Sequence, residues 1–155
     1  MCAKRYGHAS VVLDGRIYAM GGSGDDDTTL DTVEAYDPQA DSWQRVASMP
    51  RRLYGHAAAA IGGKIYVTGG SQQGHPMNTV YVYDPQADAW TQLANMSNAR
   101  RLHASAAVGG KLYVFGGCGA SGPLDTAEVY DPALDSWAQE SSLTSARIEM
   151  VAIAL

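Results

Sequence analysis

The sequence has few of the features that define membrane, secreted or nucleic-acid-binding proteins. Its longest apolar stretches, at residues 57–61 and 150–155, are far shorter than the roughly 20 residues that a membrane helix needs. No apolar signal segment follows Met1, and the only cysteines, Cys2 and Cys118, form no repeated pair. We therefore expect reduced thiols and a cytoplasmic protein. The formal net charge of −5 provides no basic stripe for nucleic acid.

Patterns of catalytic or metal-binding residues are also scarce. The four histidines show no His-x-His spacing, and no Cys-x-x-Cys pair is present. The densest carboxylate cluster, Asp25-Asp26-Asp27, lacks the alternating spacing of a calcium loop, so we interpret it as a solvated loop, with a cation site as the alternative. Cys118 is interpreted as an ordinary loop cysteine, with a reactive thiol as the alternative. We predict no catalytic residue, metal site or cofactor.

The sequence does have many glycines, and it repeats every 47 or 48 residues. Each repeat has a double glycine, then Tyr-Asp-Pro, then a tryptophan. The double glycines are Gly21-Gly22, Gly69-Gly70 and Gly116-Gly117, and the later segments run from Tyr36 to Trp43, from Tyr83 to Trp90 and from Tyr130 to Trp137. A fixed period of this length indicates stacked structural units. The regular tryptophans and tyrosines fit a packing role between units.

Each repeat is predicted to form four short strands, here called A to D. Dipeptides such as Asp14-Gly15 and Gly62-Gly63 favour a two-residue hairpin between A and B. Helical periodicity is absent. Strand A has small side chains, as in Ala57 to Ala60, which suits strands that converge at an axis.

With its double glycine, tyrosine and tryptophan, this period resembles the kelch repeat, in which each repeat is one four-stranded blade of a β-propeller. The resemblance implies an all-β fold, a kelch-type β-propeller with three four-stranded antiparallel blades plus one extra C-terminal strand. The predicted repeats span about residues 4–50, 51–98 and 99–146, and residues 147–155 begin a fourth.

The predicted strand order places the variable B–C loops and the D–A connections on one face of the disc. The connections are rich in arginine and aromatic residues, which are common at binding hot spots. The candidate protein-binding residues are Arg5, Tyr6, Arg51, Arg52, Tyr54, Gln73, Arg100, Arg101, His103 and Arg147. Because the arginine before strand A recurs, pairing with a neighbouring blade's carboxylate is the structural alternative for one arginine per repeat.

The kelch resemblance implies a protein-interaction module rather than an enzyme, with a protein or acidic peptide as partner. Many kelch propellers are substrate-recognition parts of ubiquitin ligases, and others are actin-associated scaffolds. This chain shows no helical oligomerisation domain ahead of its blades. Kelch-like oxidases and sugar-acid mutarotases provide an enzymatic alternative, although neither site can be matched residue by residue.

Three repeats are fewer than the 4–8 blades of closed propellers. The chain is therefore expected to be a fragment of a larger propeller, with a homodimer that completes a six-bladed ring as the alternative. In that dimer, the C-terminal strand of one chain would complete the first blade of the other.

Overall fold

The computed structural model describes residues 4–152, and within this range it consists of strands and loops without helices. Twelve strands of five residues each form three four-stranded antiparallel sheets, and four two-residue strands form two small hairpins. The strands are β1 (Ala9–Leu13), β2 (Arg16–Met20), β3 (Val33–Asp37), β4 (Ser42–Val46), β5 (Ala57–Ile61), β6 (Lys64–Thr68), β7 (Ser71–Gln72), β8 (His75–Pro76), β9 (Val80–Asp84), β10 (Ala89–Leu93), β11 (Ala104–Val108), β12 (Lys111–Phe115), β13 (Cys118–Gly119), β14 (Gly122–Pro123), β15 (Ala127–Asp131) and β16 (Ser136–Glu140).

The three sheets are the predicted blades. Blade 1 is β1-β2-β3-β4, blade 2 is β5-β6-β9-β10 and blade 3 is β11-β12-β15-β16. Each blade falls within one predicted repeat, and the all-β fold is confirmed. The hairpins β7-β8 and β13-β14 lie in the B–C loops of blades 2 and 3. In the described part of the chain, no helix is long and apolar enough to cross a membrane.

Turn chemistry explains where the strands end. Asp14 and Gly15 join β1 to β2 with φ angles of 49° and 74°, the positive values that a two-residue hairpin needs. At the C–D turn, the Asp37 carboxylate accepts a hydrogen bond from the Gln39 N–H at 3.0 Å, and Asp84 does the same for Gln86 at 2.9 Å. These side chains therefore stabilise the turns that the Asp-Pro pattern predicts.

The innermost strands lie side by side at the axis of the blades. Strand β5 packs between β1 and β11, and small residues of these strands, such as Ala58 and Ala106, line a cavity of about 630 Å³. The small side chains of strand A let the innermost strands approach one another and leave this space open at the axis.

A tryptophan and an aspartate join each blade to the one before it. Between blades 1 and 2, Trp90 Nε1 donates to the Ala47 carbonyl at 2.8 Å, and the Ala47 N–H donates to Asp88 at 2.8 Å. The Tyr83 ring packs against Trp90, with centroids 5.0 Å apart, and Tyr83 is buried in the core of this interface. The tryptophan ladder thus has a structural role.

The double glycines allow the next repeat to approach the end of strand B. Gly21 has φ 60°, and a Cβ there would lie 2.6 Å from His56 Cε1 and 2.7 Å from the Leu53 carbonyl oxygen. Any other residue would collide with the chain that enters blade 2. These glycines therefore set the spacing between blades.

The extra C-terminal strand differs from the prediction. Residues 147–152 form no strand, and residues 153–155 lie outside the described range. The segment nevertheless bonds to blade 3, since Gly117 N–H donates to the Arg147 carbonyl at 2.7 Å and Glu149 N–H donates to the Leu102 carbonyl at 2.8 Å. It packs where the first turn of a further repeat would lie, without a sheet to pair with.

Candidate functional site

The B–C loops and the D–A connections share one face of the molecule, as the sequence predicts. Each D–A connection forms a β-bridge to the residue after the double glycine of its own blade. The bridges are Tyr6 with Ser23, Tyr54 with Ser71 and Arg101 with Cys118. Because the bridges repeat, the side chains of Tyr6, Tyr54 and Arg101 occupy equivalent positions around the axis.

A cavity of about 340 Å³ opens between these residues. Tyr6, Asp27, Tyr54, Gln73 and Arg101 contribute to its lining, and we call these five residues the rim site. The two tyrosine rings meet edge to face, with centroids 5.8 Å apart and an interplanar angle of 73°. The structure therefore brings together four of the predicted binding residues and adds Asp27.

Hydrogen bonding fixes the acidic side of the rim site. The Tyr6 hydroxyl donates to Asp27, and this bond is the main reason that the pKa of the Tyr6 phenol is raised. Tyr6 is 51% exposed, so its ring remains accessible above the cavity. The residue Gln73 has a φ of 51°, which turns the B–C loop of blade 2 over the same opening.

Arg101 is the cation of the rim site. It is half-buried, and its Nε atom is buried without a hydrogen-bond partner within residues 4–152. No carboxylate of the described chain forms an ion pair with it, whereas Arg52 lies 3.8 Å from Asp31. A half-buried guanidinium without an ion pair in the described chain is suited to bind a carboxylate from another molecule.

The remaining exposed candidates lie outside the rim site. Arg51 donates to the Tyr81 hydroxyl at 3.1 Å and to Gln72 at 2.9 Å. Arg52 lines a neighbouring cavity of about 330 Å³ that also includes Gln73. Arg147 is exposed and donates to Ser145 at 3.3 Å. Their role in binding stays a prediction.

The prediction that Arg5 and Arg100 contact a partner is contradicted by their burial. Their side chains are 0% exposed and form ion pairs with Glu34 at 2.8 Å and with Glu128 at 2.7 Å. Arg100 also donates to the Gly116 carbonyl at 2.8 Å. The structural alternative is therefore the observed one for these two arginines, although each pairs with a carboxylate of its own repeat and not of a neighbouring blade.

Glu128 remains ionised in this interior position. Burial raises its pKa, but hydrogen bonds from Ser97 N–H and from Arg100 outweigh burial, so that its pKa is lower than usual. The middle repeat uses a different solution, because Leu53 and Tyr81 occupy the equivalent positions and are buried without a charge. The arginine and the glutamate are thus present together or absent together.

The predicted contact residue His103 is also buried, with 5% exposure. Its Nε2 atom lies 2.8 Å from the Thr68 hydroxyl. His56 occupies the equivalent position in the preceding repeat and is also buried. These histidines pack against the double glycines, and a surface partner cannot reach them.

We expect the buried histidines to make folding sensitive to acid. Burial, with a contribution from His8, lowers the pKa of His56 to about 4, and burial together with Arg100 lowers the pKa of His103 to about 3. An unfolded histidine titrates near pH 6.5. Between about pH 6.5 and pH 4 the unfolded chain therefore binds more protons, and the free energy of unfolding falls as the pH is lowered.

Urea denaturation at pH 7.5, 6 and 5 would measure this dependence. His56→Asn should reduce the slope of stability against pH, since one of the groups responsible is removed. The same free energy of unfolding at pH 7.5 and pH 5 would contradict the assignment.

The aspartate cluster does not form a single site. Asp25 pairs with Lys4 at 3.2 Å, Asp26 accepts from the Thr28 N–H at 3.1 Å, and Asp27 binds Tyr6. Within residues 4–152, no group of three or more histidine, cysteine or acidic side chains could hold a metal ion. The three carboxylates diverge, which favours the solvated-loop interpretation over a cation site.

Sequence reasoning missed the role of Asp27 and of the residue after each double glycine. The latter could have been found by its repeated position, since Ser23 and Ser71 are both small and polar. Nothing in the local sequence distinguishes Asp27 from its two neighbours.

The repeated blade geometry agrees with comparisons to known proteins. Residues 1–100 match the family described as the KLHDC2/KLHL20/DRC7 Kelch-repeats domain, and residues 99–144 match the Kelch motif. The chain belongs to the kelch-repeat family. Kelch repeats generally indicate a protein-interaction propeller module.

Among solved structures, the chain is similar to the one titled "Structure of YjhT", with 20% sequence identity and a TM-score of 0.77. The similarity covers 91% of this chain and 53% of that chain, so this kelch chain spans about half the length of its structural neighbour. At this identity the similarity shows the fold alone. No curated protein matches the sequence.

Proposed function

We propose that this kelch chain recognises a protein segment carrying a carboxylate, and that the rim site holds it. One observation carries the proposal: the half-buried Arg101 guanidinium has no ion-pair partner within residues 4–152 and lines the same cavity as two tyrosine rings. Charge-assisted hydrogen bonds to arginine are strong and directional. Tyrosine provides rigid contact area for the apolar part of a peptide.

The burial of Arg5 and Arg100 limits the kind of segment that this face can bind. With these two charges neutralised by glutamates, the face is not uniformly basic, and Asp27 lies in the same cavity as Arg101. The site therefore fits one acidic group placed at Arg101, with a hydrogen-bond donor facing Asp27. A long acidic tract would meet repulsion from Asp27.

Arg101→Ala is expected to weaken peptide binding by about tenfold or more. A hydrogen bond to a charged group is worth about 1.5–3 kcal/mol, and about 1.4 kcal/mol corresponds to tenfold in affinity. The probe is a set of peptides selected from a random displayed library on the immobilised chain. Calorimetry of the selected peptides with each variant gives the affinities.

Arg45→Ala is the matched control, since Arg45 is exposed on β4 and its side chain makes no ion pair within residues 4–152. It removes the same charge and should leave binding unchanged. Peptides that lack a carboxylate, or that bind wild type and Arg101→Ala equally well, would overturn the proposal.

We also propose a cytoplasmic location and two narrower roles for the chain, recognition in a ubiquitin ligase or an actin-associated scaffold. Both roles are implied by kelch membership rather than by a contact in this chain. Affinity capture from cytosol separates them, because the first requires co-captured ligase subunits and the second requires cosedimentation with actin filaments. The absence of enzymatic activity stays a prediction.

A further inference from the structure

Within residues 4–152, the first and last blades each have one sheet face on which no other blade packs. Val12, on the free face of blade 1, is 65% exposed, and Val108, on the free face of blade 3, is 56% exposed. The repeat equivalent of Val108 in blade 1 is Leu13, which is 8% exposed. The repeat equivalent of Val12 in blade 2 is Ala60, which packs against the core cluster that contains Leu13. The free faces are thus the two halves of a blade interface that is formed elsewhere in the chain.

The two internal interfaces use the same hydrogen bonds. A tryptophan Nε1 donates to a carbonyl of the preceding blade at 2.8 Å in both, from Trp90 to Ala47 and from Trp137 to Ala94. The N–H of the same alanine then donates to an aspartate of the following blade. This distance is 2.8 Å for Asp88, and the bond recurs between blades 2 and 3.

The free face of blade 1 carries the tyrosine, aspartate and tryptophan of this arrangement in the same geometry as in blade 2. The Tyr36 hydroxyl donates to Asp41 at 2.7 Å, as Tyr83 does to Asp88 at 2.7 Å. The Tyr36 and Trp43 rings lie 5.1 Å apart, against 5.0 Å in blade 2. Asp41 and Asp88 share a φ of 47°.

The bonds that cross an interface are missing at both ends. Trp43 makes a ring contact with Tyr36, and its Nε1 donates no hydrogen bond within residues 4–152. Ser141 is the repeat equivalent of Ala47 and Ala94, and it is exposed. One face thus has the free donor, and the other has the backbone position that accepts it.

We propose that a second copy of this chain docks on these faces, so that blade 1 of each chain packs on blade 3 of the other. The two contacts are equivalent and related by a two-fold axis, and the product is a closed ring of six blades. The length agrees, because 91% of this chain overlays 53% of the YjhT chain at a TM-score of 0.77, so that two copies have about the length of that chain. At each contact, Trp43 donates to the carbonyl of the partner subunit's Ser141.

The C-terminal segment occupies part of the docking position. Gly117 N–H donates to the Arg147 carbonyl at 2.7 Å, in the way that Gly70 N–H donates to the Arg100 carbonyl at 2.9 Å. Arg5 is the repeat equivalent of both arginines, so an incoming blade 1 brings a replacement for Arg147. Residues 147–152 form no strand, whereas β1 is fully paired with β2. We therefore infer that the C-terminal segment is displaced when the second chain docks and that β1 stays paired with β2. This differs from the strand exchange expected from sequence.

Sedimentation and light scattering of the full chain test the proposal across a dilution series. Wild type should have twice the 16.4 kDa mass of one chain. Val108→Lys should be a folded monomer with association weakened about 100-fold or more, because a lysine cannot be buried at this contact without a partner. Leu134→Lys is the matched control. Leu134 is 72% exposed in a C–D turn away from the free faces, so the control variant should dimerise as wild type does.

Trp43→Phe tests the predicted hydrogen bond. In this variant the ring still packs on Tyr36, but the Nε1 donor is lost at both contacts of the dimer. Association should weaken about 30-fold, since one hydrogen bond is worth about 1 kcal/mol, or fivefold. In wild type, burial of Trp43 on association should shift the tryptophan fluorescence to the blue as the concentration is raised. This shift should be absent in the variant.

Glu149→Pro tests the role of the C-terminal segment. Glu149 has φ 55° and its N–H bonds to Leu102, and proline allows neither. Release of the segment should strengthen the dimer about fivefold or more, since one hydrogen bond with the competing segment is lost. A monomeric wild-type chain at all concentrations, or a dimer that Val108→Lys leaves intact, would overturn the proposal. A dimer weakened by Glu149→Pro would overturn face docking in favour of strand exchange.

Discussion

Replacing Arg100 with leucine is expected to lower the free energy of unfolding by about 3–5 kcal/mol, the usual cost of removing one partner of a buried ion pair. Glu128 would keep its position with 0% exposure and lose the charge that compensates it. The Gly116 and Thr126 carbonyls would also lose the hydrogen bonds that Arg100 donates, and of the two only the Thr126 carbonyl would keep a further bond within residues 4–152, from the Gly116 N–H. Urea denaturation at pH 7.5 measures the change.

The middle repeat supplies the control for this experiment. The double variant R100L/E128Y places the Leu53 and Tyr81 pair in blade 3. In blade 2 the Tyr81 hydroxyl also accepts a hydrogen bond from Arg51, and the repeat equivalent of Arg51 in blade 3 is Asn98. Replacing a buried ion pair by packed apolar residues is often neutral or stabilising, so most of the loss should be recovered. A double variant as unstable as Arg100→Leu would show that the backbone around blade 3 cannot accept the apolar pair.

Trp90→Ala is expected to destabilise the chain by about 3 kcal/mol or more, within the range for removing a large aromatic from a packed interface. The side chain joins blades 1 and 2 through its contact with Tyr83 and its bond to Ala47. Loss of both would leave a cavity between two sheets. Denaturation followed by circular dichroism measures the effect.

Trp90→Phe separates the two contributions of this residue. It retains much of the ring and removes the Nε1 donor, so it should cost about 1 kcal/mol. If Trp90→Ala costs no more than Trp90→Phe, the ring is not part of the inter-blade core.

The repeat predicted the fold because its signals are local. The positive φ of a glycine pair, the turn made by Asp-Pro and the alternation of a strand depend on a few adjacent residues. The same signals reappear at Gly15, Gly63 and Gly110 with φ of 74°, 77° and 76°. Three agreeing copies therefore determined the four-stranded blades, the faces on which the loops lie and the small side chains at the axis.

Only the tertiary structure separated the arginines of the D–A connections. Arg100 and Arg101 are adjacent in sequence, yet one is buried against Glu128 and the other lines the rim site. The partner of Arg100 lies 28 residues away in the chain, so its burial depends on how blade 3 packs beneath the connection. The paired substitution of Leu53 and Tyr81 in the middle repeat was a signal of this contact, but it can be interpreted only once the two positions are known to touch.

The sequence by itself determined the repeated unit, whereas the structure decided which side chains remain exposed once the units are packed. Turn and strand preferences act within a few residues, and they are the same in every copy. Exposure depends on neighbours that are distant in sequence, and it differs between copies because the outer blades lack a neighbour on one side. For that reason Trp43 and Trp90 are equivalent in sequence, while of these two only Trp90 donates to a carbonyl within residues 4–152.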